Sequence, residues 1–197
     1  DFDPYLLFKR LKGKNLAGKN LSGKDLEYLN LTGTNLNEAD LSGAKLSHAN
    51  LSGAKLRRAN LNYARLSKAD LTGTNLYRAK LIGADLRYAN LSGADLRYAN
   101  PSVSKLRGAN LSYADLGQAD LTWADLREAN LSYANLGEGD LTSYRVVGAN
   151  LSNANLRGAN LTGARLEGAE LKGAFYDEET KWPKGFDPIK AGAKRVR

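Results

Sequence analysis

The sequence predicts an all-β solenoid, a chain wound into a narrow coil of short extended pieces and turns with its apolar core on the axis. Three observations carry this reading. Leucine stands at every fifth position from Leu6 to Leu171, with Pro101 and Val146 the two exceptions. Two residues before each of these sites, every position from Ala39 to Ala174 is Ala, Gly, Ser or Thr apart from Tyr144. A period of five fits neither regular element. On a helix each leucine would advance by about 500° and smear the apolar groups round the cylinder, while a continuous strand would send successive leucines to opposite faces.

Each five-residue unit, such as Ala49-Asn50-Leu51-Ser52-Gly53, must therefore contain its own turn. If each unit is a short extended piece and a corner, leucine and the small residue two before it can both point inward. Four units closing a square would use about twenty residues per coil, stacked at the strand spacing of roughly 4.8 Å. Close packing in so narrow a bore leaves room for alanine and little else at the second inward position. Glycine recurs at the corner, as Gly53, Gly73 and Gly93, where a positive φ is expected. The leucine-rich repeat, which needs 20 to 29 residues with unequal internal spacing, is excluded by the uniform five.

These units resemble the pentapeptide-repeat family, and the resemblance runs from about Leu11 to Ala174. It implies a right-handed quadrilateral parallel β-helix, here about eight coils of twenty residues. Open strand edges at both ends of such a helix call for caps. Residues 1–10 are expected to form a short helical cap, with Asp3-Pro4 opening it and Tyr5, Leu6, Leu7 and Phe8 lying over the first coil. Lys14, Lys19 and Lys24 occupy the small-residue position, so the first coil is expected to let their stems snorkel out. The repeat itself spans 11–174. Residues 175–193 are expected to close the far end, with Trp182, Pro183, Phe186, Pro188 and Ile189 plugging the bore. The string from Thr180 to Pro188 resembles the C-terminal extension of cyanobacterial-type members of the family. Residues 194–197, with Lys194, Arg195 and Arg197, read as a disordered basic tail. Pro101 and Tyr144 interrupt the pattern, and the simpler reading is that each coil absorbs a local lapse.

Composition narrows the chemistry. The 197 residues are 25% charged and 42% apolar, with a mean hydropathy of -0.48, which speaks against a membrane span and for a soluble, cytoplasmic protein. The chain opens at Asp1 and contains no methionine, so a processed or trimmed start is expected and a targeting segment is unread. No cysteine is present, which removes disulfides, thiolate nucleophiles and sulfur-ligated metals. One histidine, His48, leaves no His-rich metal site, and it is expected at a corner with Lys68 in the next coil. Phosphate-cradling glycine motifs are missing. No catalytic residue, cofactor or metal is expected.

What remains is the outer surface, and the net charge of +8 points to an acidic partner. Two of the four faces are nearly neutral columns of Asn, Ser and Thr, expected to hydrogen-bond from coil to coil. Of the other two, one carries Arg57, Arg58, Arg78, Arg97 and Arg157, and the other carries Arg65, Arg87, Arg107, Arg127, Arg145 and Arg165. Arg87, Arg107 and Arg127 lie twenty residues apart and are expected to stack, either as a salt-bridge network with Asp85, Asp125 and Glu128 or as a docking strip for an acidic surface or polyanion. Tyr113, Tyr133 and Trp123 read as coil-to-coil stacks or as binding anchors. The leading reading is a monomeric, non-enzymatic scaffold for a protein partner, with nucleic-acid binding by the basic faces as the alternative. The resemblance also brings in members that mimic DNA and bind topoisomerases, but those need an acidic rod, which +8 opposes.

Overall fold

The computed structural model describes residues 11–137 and 146–197. The expected cap at 1–10 lies outside the described residues, as do Tyr144 and Arg145. Within each unit the alanine N–H donates back to the leucine carbonyl, as in Ala54 to Leu51 at 2.8 Å and Ala94 to Leu91 at 3.0 Å. The residue two after leucine sits at positive φ, 63° at Gly53 and 65° at Gly93. An i to i+3 bond with positive φ at the third residue is the signature of a type II turn, so the chain turns a corner once per unit. The residue before each leucine makes a single parallel bridge twenty residues on, as in Asn50 to Asp70 and Asn90 to Asn110. Four corners thus close one coil. Leu51, Leu91 and their counterparts, with Ala49 and Ala89, are buried on the axis, and each buried leucine contributes about 1.5 to 3 kcal/mol.

The backbone N–H groups can be followed individually. Leucine donates to the next coil, as Leu31 to Asn50 at 2.7 Å, and so does the corner residue, as Tyr63 to Ile82 at 2.9 Å. The residue before leucine donates to the previous coil, as Asn90 to Ala69 at 2.9 Å. Only the residue just after leucine is left without a ladder partner. The Asn or Asp two before it supplies one: Ser52 N–H donates to Asn50 Oδ1 at 3.0 Å and Thr122 N–H to Asp120 Oδ1 at 3.1 Å. This explains why Asn and Asp recur before leucine, since a buried or half-buried N–H without a partner is costly. Where lysine stands instead, at Lys55 and Lys80, Arg57 N–H turns to Asn37 Oδ1 and Ile82 N–H to Asn62 Oδ1. The amide columns also bond along the axis, with Asn110 Nδ2 donating to Asn90 Oδ1 at 3.1 Å.

The two irregularities behave differently. Pro101 is buried and forfeits one ladder donor, but the register survives it: Lys80 still bridges Asn100, and Val103 N–H reaches Thr122 at 2.9 Å. Ser104 fills the alanine site and donates its hydroxyl to the Pro101 carbonyl at 2.6 Å. Around the second irregularity the expectation of a local lapse is corrected. Asp125 bridges Asn150, Asn130 bridges Asn155 and Asn135 bridges Asn160, a spacing of twenty-five, so this coil is longer than the others by five residues, the length of one unit. Everything beyond is displaced by one face relative to a twenty-residue count.

At the far end, β1 (Phe175–Tyr176) pairs in parallel with β2 (Lys194–Arg195), Phe175 opposite Lys194. The basic tail is therefore ordered, which corrects the expectation of a disordered 194–197: Ala193 is buried, and Lys194 N–H donates to the Ala174 carbonyl at 2.7 Å as repeat residues do. The intervening residues pack Trp182 edge-on against Tyr176 at 5.3 Å and flat against Phe186 at 5.2 Å. Ile189 does not plug the bore. It is exposed, because the turn ending at Gly192 carries it to the outside. At the other end, Lys14, Lys19 and Lys24 are exposed, as the snorkelling argument requires.

Candidate interaction surface

The bridges set the outer columns. Asp25, Lys45, Arg65, Asp85, Lys105 and Asp125 follow one another up one face, and Arg87, Arg107 and Arg127 form the parallel column two residues on. The guanidinium groups are engaged by carboxylates. Arg87 forks onto Asp85, with Nε to Oδ1 at 2.8 Å and Nη2 to Oδ2 at 2.6 Å, and Arg127 repeats this on Asp125 at 2.8 and 2.7 Å. Arg107 has lysine rather than aspartate at the matching position and reaches instead to Glu128 Oε1 of the next coil at 2.8 Å, leaving its buried Nε without a partner. The hydrogen bonds from Arg87 hold the Asp85 carboxyl below its usual range against the opposing effect of burial, and Arg127 does the same for Asp125. The repulsion between stacked arginines is thus offset locally.

The second arginine cluster is wired differently. Arg57, Tyr77 and Arg97 follow one another up the opposite face, and Arg58, Arg78 and Tyr98 up the adjoining corner. Arg57, Arg78 and Arg97 place their Cζ atoms 5.3, 5.4 and 5.6 Å from the Tyr77 ring centroid. Tyr98 meets the Tyr77 ring edge-on at 5.4 Å, and Arg78 also covers Tyr98 at 5.4 Å. Arg97 forks onto Asp95 at 2.8 and 2.7 Å and lies 3.6 Å from Asp115, while Arg58 lies 3.6 Å from Glu38. Among the described residues Arg57 and Arg78 make no ion pair. A cleft of about 200 Å³ opens between Arg57, Asn75, Tyr77, Asp95 and Arg97.

The predicted aromatics stack between coils. Tyr113 and Tyr133 lie parallel at 5.1 Å, and Tyr28 lies over His48 at 4.8 Å on the corner that also carries Lys68. Trp123 is 66% exposed and lies against Gly148, where a Cβ would come within 2.5 Å of the ring. Tyr133 covers Gly158 in the same way. Two arginines leave the faces expected of them. Arg157 now follows the Tyr133 unit on a neutral face, its Cζ 5.5 Å from the Phe175 ring, and Arg165, whose unit packs over Val147 and Thr122, moves to the other neutral face and pairs with Glu167 at 3.1 Å. The added length is the reason for both.

Tyr77 and Tyr98 are the residues that sequence reasoning missed. The signal was available, since residues twenty apart stack, and Tyr77 falls midway between Arg57 and Arg97. Among the described residues, no group of three or more His, Asp or Glu side chains could hold a metal ion, and no helix is long and apolar enough to cross a membrane.

Comparison with known proteins fits this architecture. No curated protein matches the chain. Among solved structures it is similar to alr5209, a pentapeptide repeat protein from Nostoc, with 37% identity over 62% of this chain and 84% of that one and a TM-score of 0.29. HetL, from the cyanobacterium Nostoc sp. strain PCC 7120 and involved in heterocyst differentiation regulation, is 33% identical over 83% of this chain and 85% of its own, with a TM-score of 0.23. QnrB1, a plasmid-mediated fluoroquinolone resistance protein, is 20% identical over 92% of this chain and 91% of its own, with a TM-score of 0.44. The model of pentapeptide repeats matches eight copies across residues 10–43, 39–76, 74–100, 104–142 and 147–175, and the chain accordingly belongs to the pentapeptide-repeat family, whose fold is the right-handed quadrilateral β-helix.

Proposed function

We propose that this chain is a non-enzymatic, monomeric rod that binds a protein partner with an acidic surface through its arginine-bearing sides. The filled axis carries the reading. With Leu and Ala occupying the described inward positions of the central coils apart from Thr74, Pro101 and Ser104, the chemistry of the molecule is confined to its outer columns. A rod of about eight coils, capped at one end by the β1 and β2 pair and the Trp182 and Phe186 stack, presents those columns rigidly, and rigid presentation lowers the entropic cost of docking. Arginine suits the task because its planar fork meets carboxylates two at a time.

The experiment is affinity capture with the purified chain at rising salt, comparing it with the variant Arg87→Gln, Arg107→Gln, Arg127→Gln and with the variant Arg57→Gln, Arg78→Gln. A salt-sensitive protein partner lost from one of the two variants is the expected result. Nucleic acid recovered in place of protein, or no loss in either variant, would overturn the reading.

A further inference from the structure

The Arg87 column and the cluster around Tyr77 hold their guanidinium groups differently. Those of the Arg87 column have their charge answered within the coil or by the next one, at 2.6 to 2.8 Å. Around Tyr77 the balance is incomplete. Three guanidinium groups converge on one ring, and Arg97 alone of the three has carboxylate partners, Asp95 and Asp115. The ring face attracts each cation but does not neutralise it. Arg57 is left with open donors on a cleft of about 200 Å³, the volume of a small side-chain group rather than of a folded surface, and Arg78, also unpaired, lies against the same Tyr77 ring beside it.

From this we infer that the cleft between Arg57, Asn75, Tyr77 and Arg97, with Arg78 beside it on the Tyr77 ring, receives a carboxylate side chain from an acidic peptide segment of the partner. The inference rests on the proposal that the chain binds a protein, and it names the place and the chemistry. A carboxylate entering beside Tyr77 meets the open Arg57 donors, with the phenol ring as a flat wall and the unpaired charge of Arg78 close by on that ring. Asp95 on the cleft wall selects against a more heavily charged guest. Its carboxylate is already held by Arg97, and its charge would repel a phosphate dianion or a closely spaced phosphodiester chain more strongly than a single carboxylate. The surrounding carboxylates, Asp115 and Glu38, likewise break up any continuous phosphate track.

The test uses the whole chain with a hexaglutamate peptide as probe, followed by calorimetry and by amide chemical shifts, with a short single-stranded oligothymidylate as competitor. Arg57→Gln with Arg78→Gln should raise the dissociation constant of hexaglutamate at least about tenfold, since the charge-assisted hydrogen bonds of Arg57 and the neighbouring unpaired charge of Arg78 are both lost. Gln118 occupies the same corner two coils on with φ 60°, so glutamine at position 78 fits the backbone. Arg57→Gln alone, away from the corner, gives a second reading should the double variant misfold. Arg157→Gln with Arg165→Gln, two arginines on the neutral faces, should leave hexaglutamate binding within about twofold. Equal losses from the two sets of substitutions, no hexaglutamate binding, or displacement of the peptide by oligothymidylate at lower concentration would each overturn the inference. If a protein partner is captured equally by the chain and by the Arg57→Gln, Arg78→Gln variant but is lost from the Arg87→Gln, Arg107→Gln, Arg127→Gln variant, the cleft is wrong and the scaffold stands. If hexaglutamate depends on the cleft while no protein is captured, the cleft stands and the scaffold falls.

Discussion

Residues 83–90 and 93–100 are the same eight amino acids, Gly-Ala-Asp-Leu-Arg-Tyr-Ala-Asn, placed ten residues apart and so on opposite faces of the coil. Locally they fold alike. The corner tyrosines, Tyr88 and Tyr98, have φ of 59° and 60°, and Arg87 and Arg97 each put Nε 2.8 Å from Oδ1 of the aspartate two residues before. Their surroundings differ, because the neighbours that matter lie twenty residues away. Tyr88 lies over Gly108 and Arg87 sits below Arg107, whereas Tyr98 meets Tyr77 and Arg78, and Arg97 faces Tyr77 and Asp115. A unit therefore specifies its own backbone and its own ion pair, and the adjoining coils decide what surface it presents.

The strongest challenge to that equivalence is in the core. Leu86 and Leu96 are both buried, so Leu86→Ala and Leu96→Ala should each cost about 2 to 5 kcal/mol in denaturant unfolding. A difference greater than about 1 kcal/mol between them would show that the two octapeptides are not equivalent inside, and the contrast drawn from their outer faces would lose its basis.

The next effect comes from the corners. Gly93→Ala places a methyl in open space at φ +65° and should cost about 1 to 2 kcal/mol for the left-handed backbone alone. Gly108→Ala has nearly the same φ, +67°, but its Cβ would come 2.5 Å from the Tyr88 ring, so it should cost about 1 to 3 kcal/mol more. Combining it with Tyr88→Ala should bring the cost of the glycine substitution back to that of Gly93→Ala. Failure to recover would mean that the ring is not what occupies that space.

Much of this was legible in the sequence, and the parts that were not share a cause. The leucine period reports the axis, the small residue reports the narrowness of the bore, and the glycines report the corners. The added length escaped because it is itself five residues. Leu136, Leu141 and Val146 keep the period of five while the period of twenty slips, so Arg157 and Arg165 were assigned to faces one step away. The Asn and Asp column was read as an axial amide ladder, and its second task, accepting the N–H after leucine, required knowing which backbone donor the coil leaves over. On the surface, counting charge found Arg57, Arg78 and Arg97 but not the ring that gathers them, since tyrosine carries no charge to count.

The smallest effect is electrostatic, and it sharpens the comparison where the two octapeptides should be hardest to tell apart. Hydrogen bonds from Arg87 and from Arg97 lower the Asp85 and Asp95 carboxyls in the folded chain, each against some burial. A lowered folded pKa means that the stabilisation is present above the unfolded value of about 3.9 and is lost as pH falls through the folded value. Stability should therefore decline in acid from about pH 4 downward, with Asp85→Asn and Asp95→Asn each removing a similar, small part of that slope. The pairs are half-exposed on the arginine side, so each should be worth no more than about 1 kcal/mol at neutral pH and less at high salt. Carboxyl chemical shifts followed from pH 6 to pH 2 would check this directly: both aspartates should titrate below free aspartate. If Asp85 titrates low and Asp95 does not, the Arg97 guanidinium has been drawn away from Asp95 toward Tyr77 and Asp115, and the two octapeptides would differ within the unit as well as around it.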